Sequence, residues 1–423
     1  MDKALRWVRQ ARRALAMELR QLAQTVRLLH VTTALVHQLQ RERGLSNLHL
    51  GCSGTEWLTA VQDQIRVTDA AQAALEDELQ RWESITQPGL QRARLLTDIA
   101  LALQGLQALP WLRQQVQQRR CAPTEATTAY IRLIQALLSM VFEAADAAQD
   151  PDISRSLVAL YHLSHGKELA GQERAAGAVA FARGSISAEE QHQLLHLIEA
   201  QQRSLEVAAA LVCRELASAL TAMPQQPDFA TFERLRQHLT TTSPAAALDN
   251  GWSAPWFAAC TARIDMLRVL EERLLQQLRA LIEHKSQRAD EALNSLEDPS
   301  TVHTKGTQDG PPAFFATDRS TAWGASETAR AWPGDTSSHV LEVIHEQARQ
   351  LQQLSAELEQ VRLNLQERRV IERAKGLLMA HHGLNEEQAH RRLRQLAMNQ
   401  GRRMVEVAQA VLSAAELLAT PRS

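Results

Sequence analysis

RRVIERAKGLLMAHHGLNEEQAHRRLRQLAMNQGRRMVEVA, residues 368–408, divides into amphipathic segments at 368–379, 385–400 and, running on past it, 402–418. Gly383 and Gly401 stand where helices should stop. Over 361–423, eleven Lys or Arg face six acids, a surplus of five positive charges. The whole chain has 46 Lys and Arg against 48 Asp and Glu, so residues 1–360 are net negative by seven. A basic, all-helical end without a residue set for bond chemistry predicts a module that grips a polyanion, attached to an acidic body.

The segment before it carries a heptad seam. Leu351, Leu354, Leu358, Val361 and Leu365 step by three and four, with Ile344 seven residues before Leu351. Such a seam predicts a two-stranded coiled coil and hence a homodimer presenting two basic modules. The other outcome is one amphipathic helix packed on its own domain.

Arg368-x-x-Ile371-x-x-Ala374-Lys375-Gly376-x-Leu378-Met379 is followed by Asn385-Glu386-Glu387-x-Ala389, Leu393, Leu396-Ala397 and Val405-x-Val407-Ala408. Together these residues resemble the ANTAR module. The resemblance implies a short coiled coil followed by a three-helix bundle that binds RNA in transcription antitermination. It makes Arg368, Arg369, Lys375, Arg391, Arg392, Arg394, Arg402 and Arg403 the candidates for phosphate and base contacts, and gives Gly376, Leu378, Met379 and Ala408 to helix packing. His390 stands where many members of the family have an aromatic residue. An imidazole can also stack on a base.

The rest of the chain is read from its palette and punctuation. Aromatics make up only 4% of 423 residues, and Ala, Leu, Gln, Glu and Arg dominate. That predicts an all-α fold. Residues 5–50 contain no proline and keep a helical period, so one very long helix is expected, closed by Gly-Cys-Ser-Gly at 51–54. Further helices are expected near 56–84, 88–119, 123–149, 152–183, 187–222, 228–241 and 255–290, punctuated by prolines. These form two groups of about four, which read as two long four-helix bundles. Residues 295–338, rich in Pro, Gly, Ser and Thr, read as a linker between a sensor at 1–294 and the coiled coil plus module at 339–423. No stretch of 18 apolar residues suggests a membrane span, and the N-terminus lacks the pattern of a secretory signal. Cys52, Cys121, Cys213 and Cys260 are widely spaced, so neither a zinc knuckle nor a disulfide framework is expected, and a cytoplasmic setting fits.

Two passages place arginine among glycines on helical stretches: Gln40-Arg41-Glu42-Arg43-Gly44-Leu45-Ser46 and Gly166-Lys167-Glu168-Leu169-Ala170-Gly171-Gln172-Glu173-Arg174-Ala175-Ala176-Gly177. Each glycine costs a helix about 1 kcal/mol relative to alanine, so these positions must admit a close approach or a ligand. Two readings stay open. One is a buried Arg–Glu network with Glu42 and Glu173 as partners. The other is a small-anion pocket, since guanidinium presents parallel donors to a planar oxyanion.

These passages, with Phe232-Glu233-Arg234-Leu235-Arg236 and Trp256 with Thr261-Ala262-Arg263-Ile264-Asp265, resemble the nitrate- and nitrite-sensing (NIT) domain. That resemblance implies paired four-helix bundles with an arginine-lined site, and makes Arg43, Arg174 and Arg236 the anion contacts, with Arg234 the rival to Arg236 and Arg41 a surface or ion-pairing residue. The chain as a whole resembles the nitrate-responsive antiterminators of nitrate assimilation operons. Its expected ligand is nitrate or nitrite, with no cofactor. Its expected partner is leader RNA with paired hairpins. The alternative is an anion-sensing regulator whose tail binds DNA or a protein. No nucleotide-binding, metallohydrolase or serine-hydrolase motif occurs, and His162 with His165 lacks a third ligand, so no enzyme is expected.

Overall fold

Helix starts are written into the chain by short capping devices. Asp150 caps the helix Pro151–Arg183 by accepting from the backbone of Asp152 and Ile153, both at 3.1 Å, and Pro151 takes the first helical position. Gly184, at φ +74°, ends the same helix in the left-handed conformation that glycine adopts freely. Ser187 and Glu190 form a capping box at the start of the next helix.

The computed structural model describes residues 2–51, 56–85, 93–225, 227–243, 246–297, 367, 370–371, 373–378, 386–400 and 402–419. The fold is all-α. The helices are α1 (Asp2–Gly51), α2 (Glu56–Ile85), α3 (Ala93–Gln117), α4 (Pro123–Ala147), α5 (Pro151–Arg183), α6 (Ala188–Leu211), α7 (Arg214–Ala222), α8 (Pro227–Thr241), α9 (Ser253–Glu297), α10 (Glu386–Gln400) and α11 (Met404–Ala419). Helix α9 runs into the expected linker of 295–338 as far as Glu297; the rest of that linker, the heptad seam at 344–365, Arg368 and Arg369 lie outside the described residues.

The single helix expected over 187–222 is instead two. Val212 and Cys213 take extended backbone, so α7 turns to bury Leu216 and Leu220. No glycine or proline announces this break. Conversely, Pro110 sits inside α3 without ending it.

The chain divides into two compact units. Among the described residues, one gathers 2–26 and 277–297, and the other those of 27–276 together with those from 367 onward. In the first, Arg20 pairs with Asp290 at 2.9 Å and Arg12 donates to the carbonyl of Ala292. The second contains one core built by Leu28, Leu35, Val36 and Leu39 of α1, Leu75 and Trp82 of α2, and the apolar faces of α3 and α4. Helices α3 and α4 have the length and mean hydropathy of spanning segments; Leu96, Leu101 and Trp111 of α3 are exposed, while Leu106, Leu109, Ile134 and Leu137 are buried in this core. Burial of each such side chain stabilises the fold by about 1.5–3 kcal/mol.

Helix α5 is the central element of the larger unit. It packs along α4 on one side and α6 on the other, and is buried along nearly its whole length. Trp256 of α9 is fully buried, donates through its indole N–H to the Arg174 carbonyl at 3.0 Å, and stacks on Phe232 of α8.

Candidate anion site and C-terminal module

Arg43 on α1 and Arg174 on α5 are both fully buried, and each lies over a glycine of the other's helix. A Cβ added at Gly44 would meet an Arg174 Nη at 2.6 Å, and one added at Gly171 would meet an Arg43 Nη at 2.5 Å. The glycines therefore make room for guanidinium groups at a helix crossing. Gly177 makes room for Trp256 in the same way, at 2.4 Å.

The two arginines are close but differently satisfied. Arg43 meets the Glu168 carboxylate through both terminal nitrogens, at 2.5 and 3.3 Å. Glu168 also accepts from the side-chain amides of Gln40 and Gln172, both at 2.9 Å. Arg174 donates to the Thr261 hydroxyl at 2.9 Å and to the Gln40 carbonyl at 2.7 Å, and its guanidinium lies 4.7 Å from the Phe257 ring centre. It has no carboxylate partner among the described residues. Burial, followed by repulsion from Arg43, pulls its pKa down to about 10. The Nε groups of both arginines and Oε1 of Gln40 are buried with no hydrogen-bond partner among the described residues. Unmatched buried donors cost about 1–3 kcal/mol each, so the place favours an added acceptor.

Arg236 belongs to another set of contacts. It meets Glu173 at 2.6 and 2.8 Å, lies over Phe232, and shares Glu173 with Arg263 and Gln201. Burial works against ionisation of Glu173, but Arg236 and Arg263 outweigh it and hold the carboxyl below its ordinary value. Arg236 points inward onto Glu173 and Arg234 is exposed. Arg41 is half-exposed near Asp265.

Of the two readings of the glycine-rich passages, the buried Arg–Glu network is present, with a different set of partners from that expected. Glu42 does not serve Arg43. It meets Arg113 of α3 at 2.8 and 3.0 Å and the Tyr130 hydroxyl at 2.8 Å. Glu173 serves Arg236, and Glu168 serves Arg43. Sequence reasoning missed Glu168, Gln40, Gln172 and Thr261 as parts of the site. All but Thr261 lie in the two glycine-rich passages, so their signal was polarity at helix positions facing an arginine.

The C-terminal module has a core of Ala374, Leu378, Ala389, Leu393, Ala397, Val407 and Ala408, drawn from 370–378, α10 and α11. Leu378 and Ala408 therefore pack as expected. Gly376 is exposed, with open space around it, so packing does not explain that glycine. Met379 lies outside the described residues. Arg391, Arg392, Arg394, Arg402 and Arg403 are exposed, and Arg403 pairs with Glu367. Lys375 is buried at 7% exposure, unlike an open phosphate contact.

His390, half-buried on α10, meets His196 of α6 with 3.2 Å between ring nitrogens. Arg394 lies 3.6 Å from Glu199 on the same face of α6. Burial first, then Lys375, His196, Arg203 and Arg394, lower the His390 pKa to about 4. In this arrangement the imidazole is engaged by protein and not open to a base.

A family model described as nitrate and nitrite sensing matches residues 34–279, and an ANTAR domain model matches 359–412. The chain is 37% identical over 417 residues to a "Nitrate regulatory protein" of Klebsiella oxytoca, covering 96% of this chain and 94% of that one. It is also similar to a solved structure of the NasR transcription antiterminator, at TM-score 0.60 and 32% identity, covering 98% of this chain and all of that one.

Proposed function

The chain belongs to the nitrate- and nitrite-sensing family and carries a C-terminal ANTAR domain, and we propose that it is a nitrate-responsive transcription antiterminator. One observation carries the sensing half: two fully buried arginines, one without a carboxylate, with unmatched N–H groups at a glycine-relieved crossing of α1 and α5. Nitrate or nitrite meets Arg174 and Arg43 there. Arg236 supports the site indirectly, by fixing Glu173 next to Arg174.

The output is RNA binding by the ANTAR domain, which is regulatory and not enzymatic. The exposed Arg391, Arg392, Arg394, Arg402 and Arg403 supply phosphate contacts, with Arg368 and Arg369 as further candidates and Lys375 joining only if the module rearranges. The target is a leader-RNA hairpin pair, read by a homodimer in the cytoplasm. Contacts of His390 and Arg394 with α6 cover part of this basic face. Anion binding shifts the balance between this docked arrangement and a free one, by as much as its affinities for the two differ.

Binding of a two-hairpin leader RNA to the full chain, measured with and without nitrate, tests the proposal. Tighter RNA binding with nitrate supports it. Equal affinity with nitrate, nitrite and chloride rejects anion gating, and preference for duplex DNA rejects the RNA output.

A further inference from the structure

The charges buried around Arg174 do not balance, and the imbalance defines what the helix crossing can hold. Glu168 is committed to Arg43. Lys167 is matched by Glu271, which also takes Arg268, and Arg268 reaches Glu272 as well. Half-exposed Arg41 faces Asp265, and Glu173 is shared by Arg236 and Arg263. Arg174 directly contacts a hydroxyl, a carbonyl and a ring face, and the attraction of Asp265 reaches it from beyond ion-pair distance, opposed by Arg41.

The count at the crossing is then two guanidinium groups and one carboxylate, a remainder of one positive charge. Glu168 itself is a planar, bidentate oxyanion on Arg43, the same shape that a small free oxyanion would present to Arg174. It is held by four donors and is only 2% exposed, so a ligand is more easily added beside it than exchanged for it.

We propose that Glu168 fixes the charge class of the ligand: by neutralising Arg43 it leaves room for one negative charge, so the pocket takes monovalent oxyanions and refuses divalent ones. The inference rests on the anion site proposed above and adds a residue that would not be sought among cationic ligands. A divalent ion would bring a second charge into a site with no partner left for it, and uncompensated charge is what buried sites tolerate least. Removing the Glu168 charge reverses the count. Two positive charges would then face the pocket, and a divalent ion would match them.

The test is calorimetric titration of the full-length chain with potassium nitrate and with potassium sulfate at fixed ionic strength. Wild type is expected to bind nitrate and ignore sulfate. Glu168→Gln is expected to gain sulfate binding and to tighten nitrate about tenfold, in line with one added unit of local charge. The double variant Arg43→Gln with Glu168→Gln restores the count to one and should lose sulfate again. If Glu168→Gln does not fold, wild type still decides: sulfate binding as tight as nitrate overturns the charge rule. Nitrate binding in wild type with no sulfate gain in folded Glu168→Gln overturns the role of Glu168 alone. Neither anion binding wild type overturns the site and this inference together.

Discussion

Arg174 and Arg236 lie in the same half of the larger unit, yet their surroundings oppose each other. Arg236 shares a bidentate bond with Glu173, and Arg174 is buried more completely with no carboxylate at ion-pair distance among the described residues. Burial of an arginine is thus not what marks a binding site. What distinguishes the proposed anion site is burial without a paired carboxylate, because such a charge raises the energy of the empty protein and can be relieved by a ligand. Helix α3 supplies a further control, since Arg113 is buried and answered by Glu42 and Asp69.

The contrast can be broken most sharply by substitution. Arg236→Met should destabilise the fold by about 3 kcal/mol, because it strips Glu173 of its main partner. Arg174→Met should leave chemical unfolding unchanged or slightly more resistant while abolishing the nitrate response. Equal losses of stability in the two variants would erase the distinction.

Gly177→Ala forces a methyl group into the Trp256 indole and should cost about 1–3 kcal/mol in urea unfolding. Gly44→Ala meets the flexible end of Arg174 most closely and the edge of the Phe257 ring at 3.1 Å, so its stability loss should be smaller, with the larger effect on nitrate affinity. A pH series tests the cation-rich surroundings of α1 more gently. Burial, then Lys167 and Arg268, depress the His37 pKa from 6.5 to about 3. The unfolded chain therefore takes up this proton first as pH falls. The stability contributed is full above pH 6.5 and declines toward pH 3, by up to about 1.4 kcal/mol per unit. His37→Gln should flatten that slope.

The smallest effect belongs to the exposed pair Arg394–Glu199. Glu199→Ala should change stability by about 0–1 kcal/mol and raise RNA affinity without nitrate. On the RNA side, Arg391→Ala should weaken binding and lower the salt slope by about one.

Much of this organisation is legible in the order of the amino acids. Helical period, prolines and glycines place α1, α4, α5 and α8 within a few residues, and the charge reversal along the chain singles out the C-terminal module. The split between α6 and α7 is not legible, because it follows from where Leu216 and Leu220 find a core and not from a local breaker. Glycines 44 and 171 are visibly anomalous, but nothing in their neighbours says that each seats the other helix's arginine. The partners of the buried arginines are hardest to foresee, since Arg43 chooses a carboxylate 125 positions away over its own neighbour Glu42.

That separation has a consequence for the protein as it is made. Closing a loop of such length is slow and entropically unfavourable until the intervening helices α2, α3 and α4 have formed their core. Arg43 leaves the ribosome early but has no counter-charge until α5 follows it. The sensor can therefore read nitrate only after more than a third of the chain has been synthesised and has condensed. A nascent fragment ending before α5 would be blind to the signal, however well its first helices had folded.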